Sequence, residues 1–476
     1  MKFKVKTTRK LLPQQKQYLD WSKKFTHPAC IMQMRLGKTL AKIRWAQDKF
    51  RAAYRIKSNR SFPAMVVAPT SVIATWEKEL EEEGEEYIVV HGKTFDKRTE
   101  MVVNRAHMEK GRIIWVLINY DSLRETPGLS FLPWFIVILD ESPVIKNPKA
   151  KISKLCTLGF RDAEHRSILS GSPRTESELD LFQQYKFLHG SFMGCTDFWQ
   201  YRAKFFDIRE WGGWELLPGK YKLIKEAVHS KSFVLTRKDV GAGSLKAVRS
   251  IRYVPMTQEQ RRVYNKIETL FVADTDKGEI ETDLATTRSI WLSRVCGGFE
   301  ANAEVFKWPG KVDELITLLK GELTGEPVVI GCDFNAEIFE LEKRLKKAKI
   351  PCVTLTGADS REERKRKQNW FTTCKTPGRA IISQIRKVAQ YGVDMSVSDT
   401  MIFYSVVPSC DQMTQFMDRI VHPLKKNTLL YIFLAMQDSR DEDVIETVQD
   451  KIMNSKLFLR KMEDRMKRRI EKRETI

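Results

Sequence analysis

Short runs of apolar, often β-branched residues alternate along this chain with longer stretches in which apolar positions return every three to four residues. In the first half the runs are 64–67, 113–118, 135–139 and 167–169, each closed by a polar or turn residue. A strand buried on both faces reads as an unbroken apolar run, whereas a strand with one wet face alternates. The pattern therefore predicts a parallel, doubly wound sheet, whose ligands gather at the carboxyl ends of its strands. A second set at 327–330, 352–355, 380–383, 401–404 and 429–433 predicts a second α/β sheet. Between the sets, Val240-Gly241-Ala242-Gly243-Ser244 has the composition of a hinge. The expected organisation is an N-terminal lobe over 1–240, a connector with a helical segment over 241–310 and a C-terminal lobe over 311–476.

Two segments fit neither sheet. Phe198 to Trp214 is aromatic and partly basic, and packing of a small insertion at about 190–235 is a more frequent use of such residues than stacking on nucleotides. Lys456 to Ile476 places Leu459, Met462, Met466 and Ile470 at helical spacing among lysines and arginines, which predicts a basic C-terminal helix with an apolar docking stripe.

Composition narrows the class. The 476 residues exceed what one core usually serves, and 42% hydrophobic with 30% charged residues describes a globular protein. No apolar run approaches the ~18 residues that span a bilayer, so no membrane partner is expected. Met1 to Lys6 is basic without an apolar segment behind it, which argues against a secretion signal. Eight cysteines stand singly, with no C-x-x-C spacing, as free thiols do in a reducing, cytoplasmic compartment (nucleoid-associated, or nuclear in a eukaryotic host). The net charge of +21 calls for a polyanionic partner, nucleic acid before an anionic membrane.

Candidate chemistry sits in two places. Trp134 to Leu139 is apolar and runs into Asp140-Glu141; a buried strand ending in an acidic pair holds a magnesium ion and polarises a water. Upstream, Leu36-Gly37-Lys38-Thr39 closes a turn before a helical stretch, where backbone N–H groups, an ammonium and a hydroxyl meet a triphosphate. Each motif is weak alone. Their order within one α/β domain points to hydrolysis of ATP with Mg2+.

Taken in order, the motifs resemble those of superfamily 2 helicases, and among them the Swi/Snf-type DNA-translocating ATPases. The resemblance starts at Leu11-Leu12-Pro13-Gln14-Gln15 and continues through Met32 to Thr39, Val66 to Ser71 with Trp76, His91-Gly92, Asn119 to Leu123 and Ile138 to Pro143 with Lys146-Asn147. Leu169 to Pro173, Val234 to Val240, Pro309 to Asp313, Thr356 to Arg361, Gln390 to Asp394 and Gln415 to Arg419 extend it over nearly the whole chain. It implies an α/β chain of two tandem RecA-like parallel-sheet lobes with small helical insertions.

The same resemblance implies the roles. Gln15 reads adenine; Arg35, Leu36, Gly37, Lys38 and Thr39 form the phosphate loop, with Lys38 on the β and γ phosphates. Thr39 and Asp140 ligate magnesium, and Glu141 orients the attacking water. Gly392 and Asp394 complete the nucleotide site, and Arg419 is a finger supplied from the second lobe. Thr70, Ser71, His91, Tyr120, Thr356, Gly357 and Ser383 contact DNA, largely through its backbone. Three residues depart from the family pattern: Arg35 replaces a glycine, Ser142-Pro143 replaces a small residue and a histidine, and His422 replaces a second arginine, making one transition-state cation dependent on pH. The second departure is expected to remove a polar bridge from the acidic strand to the neighbouring motif.

Three functions remain open at this level: a translocase on duplex DNA that remodels it or displaces bound proteins, a strand-separating, fork-regressing or annealing helicase, and a nucleotide-gated DNA clamp with little turnover. A motor this compact is expected in a virus or a bacterium.

Overall fold

The computed structural model describes residues 9–448 except 34–35, 91–93, 174–176, 209–213, 237–238, 241–245, 276–281, 301–304, 389–392, 423–424 and 426. Its first sheet is made of β1 (Ala29–Met32), β2 (Phe62–Ala68), β3 (Tyr87–Val90), β4 (Ile113–Asn119), β5 (Ile136–Asp140), β6 (His165–Ser170) and β9 (Ser232–Leu235). All neighbours run parallel, in the order β3-β4-β2-β5-β6-β1-β9. Every residue of β1, β2, β5 and β9 is buried, which is why those strands carry no alternation. The remaining pair in this half, β7 (Phe206–Ile208) and β8 (Trp214–Leu216), forms a short antiparallel hairpin. It belongs to the aromatic insertion, where Tyr201 and Phe205 pack into the core with Phe182 and Phe192. Trp199 stays 50% exposed, with the Arg202 guanidinium 4.3 Å over its ring and 3.8 Å over that of Trp214.

Helices cover the sheet, among them α1 (Pro13–Ser22), α2 (Lys38–Ile56) and α3 (Thr70–Glu83). The inner face of α2 carries a charge that the apolar pattern does not announce. Lys42 is fully buried; it donates to the Tyr18 hydroxyl and to Ser167 Oγ, and its ammonium lies 4.7 Å from the ring centres of both Tyr18 and Trp45. Burial pushes its pKa down to about 7. In the unfolded chain a lysine stays protonated to about pH 10, so between pH 7 and that value the unfolded state binds the extra proton. Stability should therefore rise with pH across this window and be lowest, from this group, at pH 7 and below. Denaturant titrations at neutral and at alkaline pH check it: wild type gains stability on the alkaline side, and Lys42→Met loses that slope.

The second unit begins where the chain divides, after Ala242, and runs Gly243–Met453. Its strands are β10 (Ala247–Val254), β11 (Val328–Cys332), β12 (Cys352–Leu355), β13 (Ala380–Gln384), β14 (Thr400–Phe403) and β15 (Leu429–Met436), all parallel, in the order β10-β15-β14-β11-β13-β12. The segment expected as a connector with helices, 241–310, contains β10 and the helices Gln258–Thr275 and Thr282–Cys296. β10 pairs with β15 from Ala247↔Leu429 to Val254↔Met436, and Tyr264, Ile267, Leu292, Val295 and Cys296 pack with Val254, Trp308 and Met436. What the composition marks as a link is thus an edge strand and a helical cap of the second sheet. β10 escapes the apolar pattern because an edge strand keeps one side wet: Arg249 and Arg252 interrupt it, and Val248 and Tyr253 are about half exposed. Arg252 reaches Glu322 at 2.6 Å.

Among the described residues no helix is long and apolar enough to cross a membrane, and no disulfide forms among the eight cysteines. The basic helix expected over 456–476 lies outside the described residues.

Candidate nucleotide-binding and DNA-contact sites

β1 delivers the chain to the phosphate loop, and α2 leaves it. Between them Gly37 takes φ +80°, a left-handed conformation that side chains rarely adopt, and a Cβ there would come within 2.3 Å of Gln15 Nε2. That close approach is used. Gln15 Nε2 donates to the Gly37 carbonyl at 3.0 Å, while Gln15 Oε1 accepts from Leu12 N at 2.8 Å, so α1 clasps the loop through one buried amide. Leu36 is buried beneath the turn. Lys38 Nζ donates to the Met32 carbonyl at 3.0 Å, at the end of β1, and Thr39 follows, half-buried, in the first turn of α2. The first N–H groups of a helix lack intrahelical acceptors, so Gly37 to Thr39 present a ready anion site. Arg35 lies outside the described residues.

Sheet register places the acidic pair at the same edge. Leu169 of β6 pairs with Cys30 on one side and with Asp140 on the other, so Asp140 stands level with Cys30, two residues before the end of β1 and about two strand spacings (~10 Å) from that strand. Asp140 is 4% exposed: Trp76 Nε1 donates to its Oδ2 at 2.8 Å and Glu141 N to its Oδ1 at 2.9 Å. Burial pushes its pKa above the ordinary aspartate value, against the Trp76 hydrogen bond and the charge of Lys38. Glu141 has φ 50° and ψ 55°, left-handed for a residue with a side chain, a strain of the sort that persists where the surroundings enforce it. A buried carboxylate and a hydroxyl at a phosphate-binding helix terminus are hard oxygen donors. They suit a magnesium ion that takes its other ligands from phosphate and water, so Asp140 and Thr39 fit the metal.

In the second unit, Arg419 lies in the short helical turn Asp418–Ile420, directly after the helix Cys410–Met417. Its carbonyl accepts from Met395 N at 3.1 Å, which fastens the arginine turn to the segment carrying Asp394. Asp394 Oδ1 accepts from Ser396 N at 2.9 Å; Lys425 Nζ donates to the carbonyls of Ser396 at 2.9 Å and Ile420 at 3.0 Å. His422, half-buried, sits inside this loop, its carbonyl accepting from Lys425 N at 3.0 Å. Asp394, Arg419 and His422 therefore share one knitted surface, while Gly392 lies outside the described residues.

The SNF2-related domain matches residues 14–296, and the helicase conserved C-terminal domain matches residues 310–423. The chain belongs to the SNF2-related family. Chromodomain-helicase-DNA-binding protein 7 of Gallus gallus is 30% identical to this SNF2-related chain over 184 residues, which make up 36% of it and 6% of that protein. Transcription regulatory protein SNF2 of Saccharomyces cerevisiae is 22% identical over 447 residues, 88% of this chain and 26% of that protein. The chain thus spans a minor part of the length of these relatives. A solved structure of the Sulfolobus solfataricus SWI2/SNF2 ATPase core in complex with dsDNA covers 96% of this chain and 95% of its own at 20% identity; the TM-score is 0.43, too low a likeness to decide anything here.

Within the SNF2-related frame, three expectations need correction. The bridge thought lost with the histidine is present in another form: Ser142 Oγ donates to Gln184 Oε1 at 2.6 Å, and Gln184 Nε2 donates to the Pro173 carbonyl at 2.6 Å. Tyr120 does not offer its hydroxyl outward as a DNA contact. It is 7% exposed and donates at 2.8 Å to the Asp140 carbonyl, bracing the acidic strand. Ser383, the fourth of the five residues of β13, is at 0% exposure and offers no hydroxyl to solvent.

The other candidate DNA residues stand as follows. Thr70 is exposed at the start of α3 with Ser71 beside it, and His91 lies outside the described residues. Gly357 is exposed in the turn after β12, whose geometry Asp359 fixes by accepting from Thr356 N at 2.6 Å; Thr356 itself is 6% exposed.

Proposed function

We propose that this SNF2-related chain is an ATP-dependent motor that moves along duplex DNA, remodelling it or displacing what is bound to it. The observation that carries the reading is the assembly of Gln15, Gly37, Lys38, Thr39, Asp140 and Glu141 at the carboxyl edge of one parallel sheet, with the loop clasped by Gln15 before any nucleotide arrives.

The chemistry follows from those residues. A triphosphate entering the turn meets backbone N–H groups and draws Lys38 Nζ from the Met32 carbonyl, trading a neutral acceptor for an anionic one. Asp140, held by Trp76, keeps its charge facing the loop. When bound, magnesium supplies charge neutralisation across the β and γ phosphates. Glu141, turned away from the strand by its backbone, orients the water for in-line attack. Arg419 is the cation that the second unit contributes to the transition state. Alternate closing and parting of two DNA-gripping lobes then yields movement. A clamp with little turnover loses one of its grounds, because Ser142 and Gln184 restore the bridge that Pro143 interrupts.

The surplus of +21 charges favours phosphate contacts that ignore sequence, on duplex or branched DNA, and the eight free thiols suit a reducing compartment. Phosphate release measured with duplex, single-stranded and forked DNA and with RNA tests the function; duplex stimulation together with triplex displacement is expected, and strand separation without triplex displacement would favour the helicase reading. Affinity for duplex should fall steeply as salt rises and vary little among sequences. Salt-insensitive binding to one short sequence would overturn it.

A further inference from the structure

The strongest unassigned feature is the side chain of Gln184. It projects from the helix Leu181–His189, alongside Leu181, Phe182, Tyr185 and Leu188 of the hydrophobic core. A glutamine at 0% exposure among such neighbours is costly unless both ends of its amide are satisfied. Both are. Oε1 accepts from Ser142 Oγ at 2.6 Å, and Nε2 donates to the carbonyls of Pro173 at 2.6 Å and Asp180 at 2.8 Å.

The two ends of that amide touch different pieces of the site. Ser142, itself at 0% exposure, opens the short helical turn Ser142–Ile145, and the residue that caps this turn is Glu141 in its left-handed conformation. Pro173 closes the loop Ser170-Gly171-Ser172-Pro173 that leaves β6, the strand lying between the phosphate-loop strand and the acidic strand. Ser170 Oγ accepts from Ser172 N at 3.0 Å, which holds the near side of that loop. A carboxamide accepts at its oxygen and donates at its nitrogen while staying neutral at every pH at which the protein folds. It is therefore suited to bind a hydroxyl on one side and a carbonyl on the other without burying a charge.

We propose that Gln184 is a positioning residue for hydrolysis: it fixes the backbone turn that aims Glu141 and ties that turn to the loop following β6. The inference rests on the hydrolytic reading of this site. It assigns the strained backbone of Glu141 a restraint, because the Ser142 hydroxyl next to it is locked by a buried partner. It also makes the loop after β6 and the water-orienting carboxylate one unit, so a shift of either is felt by the other.

The test uses the full chain in steady-state phosphate release with duplex DNA. Gln184→Leu keeps the volume and removes all three hydrogen bonds of the amide; Ser142→Ala removes one hydroxyl and changes little else. Each should lower kcat by roughly tenfold while KM for ATP and ATP binding stay near wild type, since the loop of Gln15 and Lys38 is untouched. The decisive arm places Gln184→Leu in the Glu141→Gln background. If Gln184 acts through Glu141, the second change should lower the residual rate by less than about twofold, whereas an independent or merely structural loss would multiply. Full multiplication, or a wild-type kcat in both single variants, overturns the proposal. If Gln184→Leu does not fold, Ser142→Ala in the same two backgrounds decides it. A wild-type chain that releases no phosphate with any nucleic acid would instead sink the hydrolytic reading, and the positioning role with it.

Discussion

Lys38→Ala is expected to abolish ATP hydrolysis while leaving the fold intact. Removing one preorganised charge from a phosphoryl-transfer site costs roughly two to three orders of magnitude in turnover. Within the fold Lys38 contributes a hydrogen bond to the Met32 carbonyl, a half-buried contact whose loss is worth about 1 kcal/mol. The far-ultraviolet spectrum and melting temperature should therefore hardly move. Glu141→Gln should differ in kind, binding ATP normally and turning it over far more slowly, because the amide keeps the shape and loses the carboxylate that orients water. Phosphate release and equilibrium binding of a fluorescent ATP analogue, measured on both variants, separate the two. Substantial hydrolysis in both would remove these residues from the mechanism.

Arg419→Ala should eliminate DNA-stimulated turnover with ATP binding largely kept. A finger supplied to the transition state is worth on the order of a thousandfold or more, and it adds little to ground-state affinity. His422→Ala should cost less, since the neighbouring arginine carries the permanent charge. The turn bearing Arg419 is fastened to Met395 through its carbonyl, and alanine keeps that bond, so the loss is one of charge and not of loop structure. Turnover and ATP affinity compared across the two variants check this. An Arg419→Ala chain with wild-type turnover would show the assignment to be wrong, and equal damage from both would make His422 indispensable.

Much of the architecture was legible because its strands are buried on both faces. β5 could be read as an apolar run ended by two acids, and the two families of strands could be counted as two sheets. β1 was not legible: four residues, Ala29–Met32, are too few for any period to show. β10 was hidden for the opposite reason, its wet edge resembling a linker. At the site, the motifs could be read as residue types in order, and the side-chain partners could not. Nothing in the sequence says that Gln15 binds the Gly37 carbonyl, since that contact depends on how closely α1 approaches the loop. Gln184 carried almost no signal, being one of two adjacent glutamines in a helix of mixed composition. Its partner at 142 is 42 residues away, brought to it by the packing of that helix on β6 and on the turn Ser142–Ile145.

The ladder between β10 and β15 has a mechanical meaning. It spans eight residue pairs in parallel, beginning at Ala247, just past the point where the chain divides. Tension applied there along the strand would load the inter-strand bonds together, as shear, whereas a pull across the strand would open them one at a time. This edge of the second sheet is thus built like a lap joint, and tension entering it at Ala247 would be borne by the ladder before it reached the core.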